Sequence, residues 1–302
     1  MHLQHVVVGS RLSALTLVWL SLLGMLCAGY ASASSERQAP EPEQRAKPQL
    51  PIATGSARQH AVSPEGSAST QLYFGDTHLH TSYSFDAYLN GNRTADPDTA
   101  YRWAKGYPVV HPYNRVRVQI GTPLDFLVVA DHAEMLGLIR ALHTDQARLK
   151  DLGMPGNLRR WLSIKRLSWA IDNNEGLAFF GRFLPPSAAD QNHGDPVADV
   201  NNNIDDVTIF GDTSANVKTT WEAIIAAAER HNQPGKFTSL LGWEWSSVPT
   251  GANLHRVVVT PDGADVARQY SPYGSDKSQY PEDLWSWLET TSKRTGGRFM
   301  AI

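Results

Sequence analysis

Cysteine is nearly absent: the 302-residue chain has one, Cys27. It lies in an apolar leader, and the bulky Leu26 before it does not suit lipid attachment, so it reads as one more apolar residue. With the leader removed no thiol remains. That excludes a disulfide framework, a thiolate metal site and a cysteine nucleophile, so any metal must be held by imidazole and carboxylate. A basic excess is missing too. The 27 Lys and Arg stand against 30 Asp and Glu, a formal charge of −3, and no nucleic-acid partner is expected. The chain has no Gly-x-Ser-x-Gly turn for a serine nucleophile, no Gly-rich loop ending in Lys to cradle phosphates, and no internal repeat.

The leader, residues 1–33, has Arg11, an apolar run over 12–28 and a closing Ala31-Ser32-Ala33. Small-x-small after an apolar run is what a signal peptidase cuts. An exported protein, periplasmic or extracellular, is expected, with no stable membrane span after cleavage. The other reading, an uncleaved anchor, meets a run at the lower limit for crossing a bilayer. Residues 34–70 are rich in Pro, Ser, Ala and Gln and almost lack large apolar groups. They bury too little to offset chain entropy, so a disordered tether is expected, with one domain over residues 71–302.

Within that domain, strand and helix patterns alternate. "LYFGDTHLH", "PLDFLVVADHAE", "KFTSLLGWEWSS", "ANLHRVVVTPDG" and "RFMAI" have the apolar runs of buried strands. "DPDTAYRWAKG", "TTWEAIIAAAERHNQPG" and "PEDLWSWLETTSKRTGG" have helical spacing between start and stop residues. The order predicts an α/β fold with a parallel sheet or barrel. Residues 137–220 are less regular, with helices expected near 137–150 and 156–180 and an irregular excursion after them.

Polar residues punctuate the strands. His78 and His80, two of 11 histidines, are two apart, so extended chain turns both imidazoles to one side. Two such nitrogens can reach one ion, or two adjacent ions, at about 2.0–2.1 Å each. Asp76 and Asp86 bracket the pair. Asp131 and His132 close an apolar run; Asp131 suits either a helix cap or the site. Glu244 follows an apolar run between Trp243 and Trp245, where a carboxylate needs a cation or hydrogen bonds to offset desolvation, and Arg256 is one candidate cation. His255 suits either a bonded core histidine or a ligand. Arg256 beside it suits either a substrate anion or a nearby acid. Tyr83 and the two tryptophans suit a pocket lining or, more simply for the tryptophans, wall packing. Strand ends in parallel α/β folds converge on one edge, where sites are usually built.

Together "GDTHLHTSYSFDAYLNG", "DPDTAYRWAKG", "PLDFLVVADHAEMLG", "LLGWEWSS" and "NLHRVVVTPDG" resemble, in order, DUF3604, a bacterial family of the PHP superfamily of metal-dependent hydrolases. The resemblance spans about residues 72–302. It implies a distorted (β/α)7 barrel with a cluster of two or more divalent ions, zinc, manganese or iron, at the strand ends. It implies that His78, His80, His132 and His255 are metal ligands and that Glu244 bridges ions and serves catalysis. Asp131 would serve as a ligand or orient His132, and Asp76, Asp86 and Arg256 would be supporting or substrate-facing. Family members continue with a further histidine motif and a late Asp-x-His motif, which this chain, ending "GGRFMAI", does not contain. A barrel incomplete at its C-terminus, the product of a truncated gene, is therefore expected. The implied activity is phosphoesterase-like hydrolysis of a small-molecule or ester substrate by a metal-activated water. The rival is a metal-binding relative of the same fold without turnover.

Overall fold

The computed structural model describes residues 71–181, 210–248 and 253–302. The expected leader, tether and most of the irregular excursion lie outside the described residues. The strands are β1 (Gly75–Leu79), β2 (Val109–Val110), β3 (Arg117–Val118), β4 (Phe126–Val129), β5 (Thr238–Ser247), β6 (Leu254–Thr260) and β7 (Met300–Ala301). The helices are α1 (Phe85–Leu89), α2 (Pro97–Ala104), α3 (Leu138–His143), α4 (Gly153–Asp172), α5 (Gly176–Phe180), α6 (Ser214–His231), α7 (Ala264–Ala267) and α8 (Pro281–Thr295).

Local sequence sets the helix ends. Asp96 caps α2 by accepting the Thr99 amide at 2.9 Å, with Pro97 in the first turn, where its missing N–H costs nothing. At the end of α8, Gly296 takes φ +73, a left-handed conformation that glycine adopts without strain. On α6 the spacing works as the pattern predicts: Trp221, Ile224, Ile225 and Ala228 are all buried.

The main sheet has the order β1-β4-β5-β6-β7. β1, β4 and β5 are parallel, whereas β6 runs antiparallel to β5 and β7 antiparallel to β6. The fold is therefore mixed α/β, and the described residues form an open sheet, not a closed barrel. This departs from the all-parallel expectation for a physical reason. A parallel return needs a crossover of a dozen or more residues, and only residues 248–253 separate β5 from β6. β2 and β3 form a separate two-stranded ribbon.

One sheet face carries the main core. Leu127, Val129, Leu241, Trp243, Trp245 and Val258 pack there with Trp221 and Ile225 of α6 and Tyr101 of α2. The indole N–H groups are satisfied by carbonyls of flanking segments: Trp221 by Ala267, Trp243 by Tyr273 and Trp245 by Ser278, at 3.0–3.2 Å. The other face holds a smaller apolar set, Val128, Ala130, Val257 and Val259, and beyond it the polar cluster described next. The tryptophans thus take the wall-packing role.

Candidate metal centre

Alternation along β5 turns Glu244 and Ser246 away from the Trp core. Ser246 stands opposite His255 on β6. Glu244 lies inside β5, not after it, and only 1% of its side chain is exposed. His255 is near the start of β6, but that strand's reversal brings it to the same sheet edge. Past the end of β4, pairing with β5 resumes: the Glu244 amide donates to the Asp131 carbonyl at 3.1 Å, and the Ala133 amide donates to the Glu244 carbonyl at 2.8 Å. His132 is thereby fixed beside Glu244. In β1 the register slips by one residue between Asp76 and Leu79, a bulge of the kind that re-aims side chains.

The side chains converge on Glu244. Its Oε2 lies 2.7 Å from His80 Nε2, 3.1 Å from His78 Nε2 and 3.5 Å from His132 Nε2. Its Oε1 contacts His255 Nδ1 and accepts the Ser246 hydroxyl at 3.0 Å. Asp86 adds a second carboxylate, 3.2 Å from His80 Nδ1 and 3.7 Å from His132 Nε2. Three overlapping groups result: His78, His80 and Glu244; His80, Asp86 and His132; and His132, Glu244 and His255. Each has the donors and spacing to hold a metal ion.

The residues fit such an ion by one further observation. Glu244 Oε2 is buried among three imidazole nitrogens yet has no hydrogen bond of acceptable geometry. An orphaned buried carboxylate oxygen is costly. Tetrahedral bonds of about 2.1 Å would set ligand atoms about 3.4 Å apart, in the range of the separations here.

From the protein's own groups alone, the electrostatics are tightly balanced. Burial opposes ionisation of both His80 and Glu244. Asp86 and Glu244 nonetheless raise the His80 pKa well above the ordinary imidazole value, while His80, His132 and His78 hold Glu244 low. His132 is raised against its own burial, chiefly by Glu134. Asp131 behaves oppositely: complete burial pushes it up to about 6, although the Thr81 amide and hydroxyl bond to its two oxygens at 2.5 and 2.7 Å. It lies outside the three groups and holds the loop that follows His80.

The remaining candidates separate. Asp76 is exposed, accepts the His78 amide at 2.8 Å and joins none of the groups. Arg256 pairs across the strands with Trp245, on the opposite sheet face from His255, and its guanidinium donates to the His255 carbonyl at 2.7 Å. It forms no ion pair with Glu244, and among the described residues it meets no acid. His255 is no enclosed core histidine, since 38% of its side chain is exposed.

Three polar residues escaped the sequence reading. Glu134 Oε2 lies 3.2 Å from His132 Nδ1, while its Oε1 accepts the amides of Ser246 and Ser275 at 3.1 and 2.6 Å. Gly274 lets that last segment close in, since a Cβ there would lie 2.9 Å from the Glu134 amide. Ser84 Oγ bonds Asp86 at 2.5 Å and lies 3.2 Å from His80 Nδ1. Ser246 Oγ lies 2.7 Å from His255 Nδ1 and 3.1 Å from His132 Nδ1. The one available signal was spacing, two residues from His132 and Glu244 for Glu134 and Ser246.

No helix among the described residues is long and apolar enough to cross a membrane. No curated protein and no solved structure matches the chain. Residues 67–302 match the family model described as "Protein of unknown function (DUF3604)". That match contains every residue of the histidine and carboxylate cluster and takes in most of the sequence, so the chain belongs to the DUF3604 family.

Proposed function

We propose that the protein is an exported, metal-dependent hydrolase of phosphoesterase type, acting on a small-molecule or other ester substrate. The observation that carries the reading is the convergence of four imidazoles on the buried, half-satisfied carboxylate of Glu244. His78, His80, His132, His255 and Glu244 would hold two or more divalent ions, with Asp86 as a further ligand. A mixed nitrogen and oxygen donor set suits zinc, manganese or iron. When bound, such ions supply Lewis acidity and bring the pKa of a bound water toward about 7.

The chain's own residues do the rest. Glu244 belongs to two of the three groups, so it joins them. Glu134 and Ser246 fix the ring of His132 through Nδ1, leaving Nε2 toward Glu244, and Ser84 holds the His80 ring through its Nδ1, as supporting partners do in metal sites. Asp131 acts as a positioning residue through Thr81. Membership of the PHP superfamily, and a sheet that is part of its (β/α)7 barrel, are inferences of the same kind. The ordered motifs and the clustering at one sheet edge support them, and fold likeness alone assigns no chemistry.

The test is elemental analysis of the purified protein beside a His78→Ala/His80→Ala variant, followed by turnover assays on generic phosphomonoesters and phosphodiesters. One or more equivalents of transition metal, lost in the variant, with turnover abolished by Glu244→Ala, is the expected result. Metal without turnover across ester and amide panels would favour the non-catalytic metal-binding relative. Absence of metal from both proteins, each folded, would overturn the proposal.

A further inference from the structure

A cleft of about 360 Å³, sharing no lining residue with the histidine and carboxylate cluster, lies between α2 and the β2–β3 ribbon. Its size is within the usual range for small-ligand sites. Arg102 of α2 and Arg115 and Arg117 of the ribbon line it, together with the hydroxyl-bearing Thr94 and Thr99. No carboxylate is among the lining residues.

Three like charges around one cleft need an explanation in a chain of net charge −3. Several exposed cations elsewhere are paired: Arg230 with Asp98, Arg268 with Glu222, Lys293 with Glu289 and Arg298 with Asp262. In the cleft, among the described residues, neither Arg102 nor Arg117 meets an acid, and the Arg115 guanidinium donates only to Thr94 Oγ1, at 3.2 Å. The acids nearby in sequence are committed elsewhere. Asp96 accepts the Thr99 amide and hydroxyl, and Asp98 accepts Arg230 and His231.

The ribbon is also built to hold its arginines. Arg115 and Arg117 are two residues apart, and Arg117 pairs with Val110 across the ribbon. Arg115 takes φ +60, a conformation L side chains rarely adopt. The turn that imposes it is closed by the Arg115 amide on the His111 carbonyl at 3.1 Å and the His111 amide on the Val116 carbonyl at 2.8 Å. Strained non-glycine residues cluster at ligand clamps.

We propose that this cleft binds a phosphoryl oxyanion, the terminal group of a phosphate ester, through the guanidinium groups of Arg102, Arg115 and Arg117. Guanidinium forks match phosphate oxygens in pairs, and charge-assisted bonds of this kind are strong. The Thr94 hydroxyl already positions one fork. The site is independent of the metal centre and stands whether or not that centre turns over substrate.

Titration calorimetry of the full chain with inorganic phosphate, and separately with glycerol phosphate, tests it at low and raised salt. Saturable binding is expected to weaken with salt, to fall at least tenfold in Arg102→Gln and in Arg117→Gln, and to persist in Glu244→Ala. Thr94→Glu provides an arm that does not depend on removing an arginine. It sets a carboxylate against Arg115, and is expected to abolish binding while preserving the fold by circular dichroism. Tighter binding of glycerol phosphate than of inorganic phosphate would identify an ester as the ligand, and the reverse would identify the free ion. Binding that is absent in the wild type, that survives all three substitutions, or that vanishes in Glu244→Ala would overturn the proposal.

Discussion

Trp243 and Trp245 leave β5 on one side of the sheet, Glu244 and Ser246 on the other, and the two sides are held by different forces. On the first side, rings pack at centroid separations near 6 Å, Trp243 against Trp221, Tyr270, Trp287 and Phe299, and every indole N–H named above has a carbonyl partner. The indoles there need no further partner, and the one buried polar atom left over among those rings is the neutral Tyr270 hydroxyl. On the second side, a carboxylate as deeply buried as the tryptophans faces imidazole nitrogens and leaves one oxygen unsatisfied. One side is a core of packed apolar and aromatic rings. The other has the donor set and spacing to hold a cation. A strand of alternating residues therefore carries stability and chemistry one residue apart, and substitutions on the two sides should report separately.

The largest effect is expected from Trp243→Ala. It deletes a 1%-exposed ring from the centre of the aromatic cluster, at a cost of about 3–5 kcal/mol. Denaturant unfolding should show this loss, while the fraction still folded keeps its metal content. Glu244→Gln should do the reverse. It keeps the shape but takes the charged ligand from two of the three groups. Metal affinity should fall by more than about 100-fold, roughly 2.7 kcal/mol, with the secondary structure unchanged. If both substitutions moved stability and metal content alike, the division between the two faces would fail.

Much of this was legible beforehand because burial and extended chain leave periodic marks. The apolar runs ending in "ADH" and containing "WEW" located β4 and β5, and the spacing of His78 and His80 put both rings on one side. The helices α2, α6 and α8 followed from caps, prolines and glycines. What stayed hidden depends on contacts distant in sequence. The reversal of β6 follows from the short link over 248–253, and with it His255 reaches the site from the opposite strand direction. Arg256 is one candidate cation for Glu244 in the sequence, but alternation across β5 and β6 places the two on opposite faces. Glu134 was passed over because its meaning comes from Ser275, 141 residues away.

Glu134→Gln gives a smaller, graded test of that hidden support. The amide keeps an oxygen for Ser246 and Ser275 but removes the negative charge beside His132 Nδ1. Metal affinity should drop about 10–100-fold, the usual effect of losing an orienting partner, with overall stability little changed. Competition with a chelator of known affinity would measure it. An unchanged affinity would make Glu134 a loop anchor rather than a support of the centre.

The smallest effect is expected at Asp262, which shows how a carboxylate is satisfied where no ion is needed. It sits beyond the far end of β6, away from the histidines. It accepts the Arg298 amide at 2.6 Å, the guanidinium at 3.0 and 3.1 Å and the Thr260 hydroxyl at 3.0 Å. Burial alone would raise its pKa, but the Arg298 amide and guanidinium outweigh burial and hold it below the ordinary value. A depressed carboxylate contributes stability above its unfolded pKa, near 4, and loses that contribution as pH falls through the folded value. Arg298 is largely exposed, so Asp262→Asn should cost only about 1 kcal/mol at neutral pH. The melting curves of variant and wild type should then converge as the pH is lowered toward about 3. Metal content should be the same in both proteins. A change in it would mean that the two ends of the sheet are coupled, and that the contrast between a self-satisfied carboxylate and one with an orphaned oxygen is not local to each site.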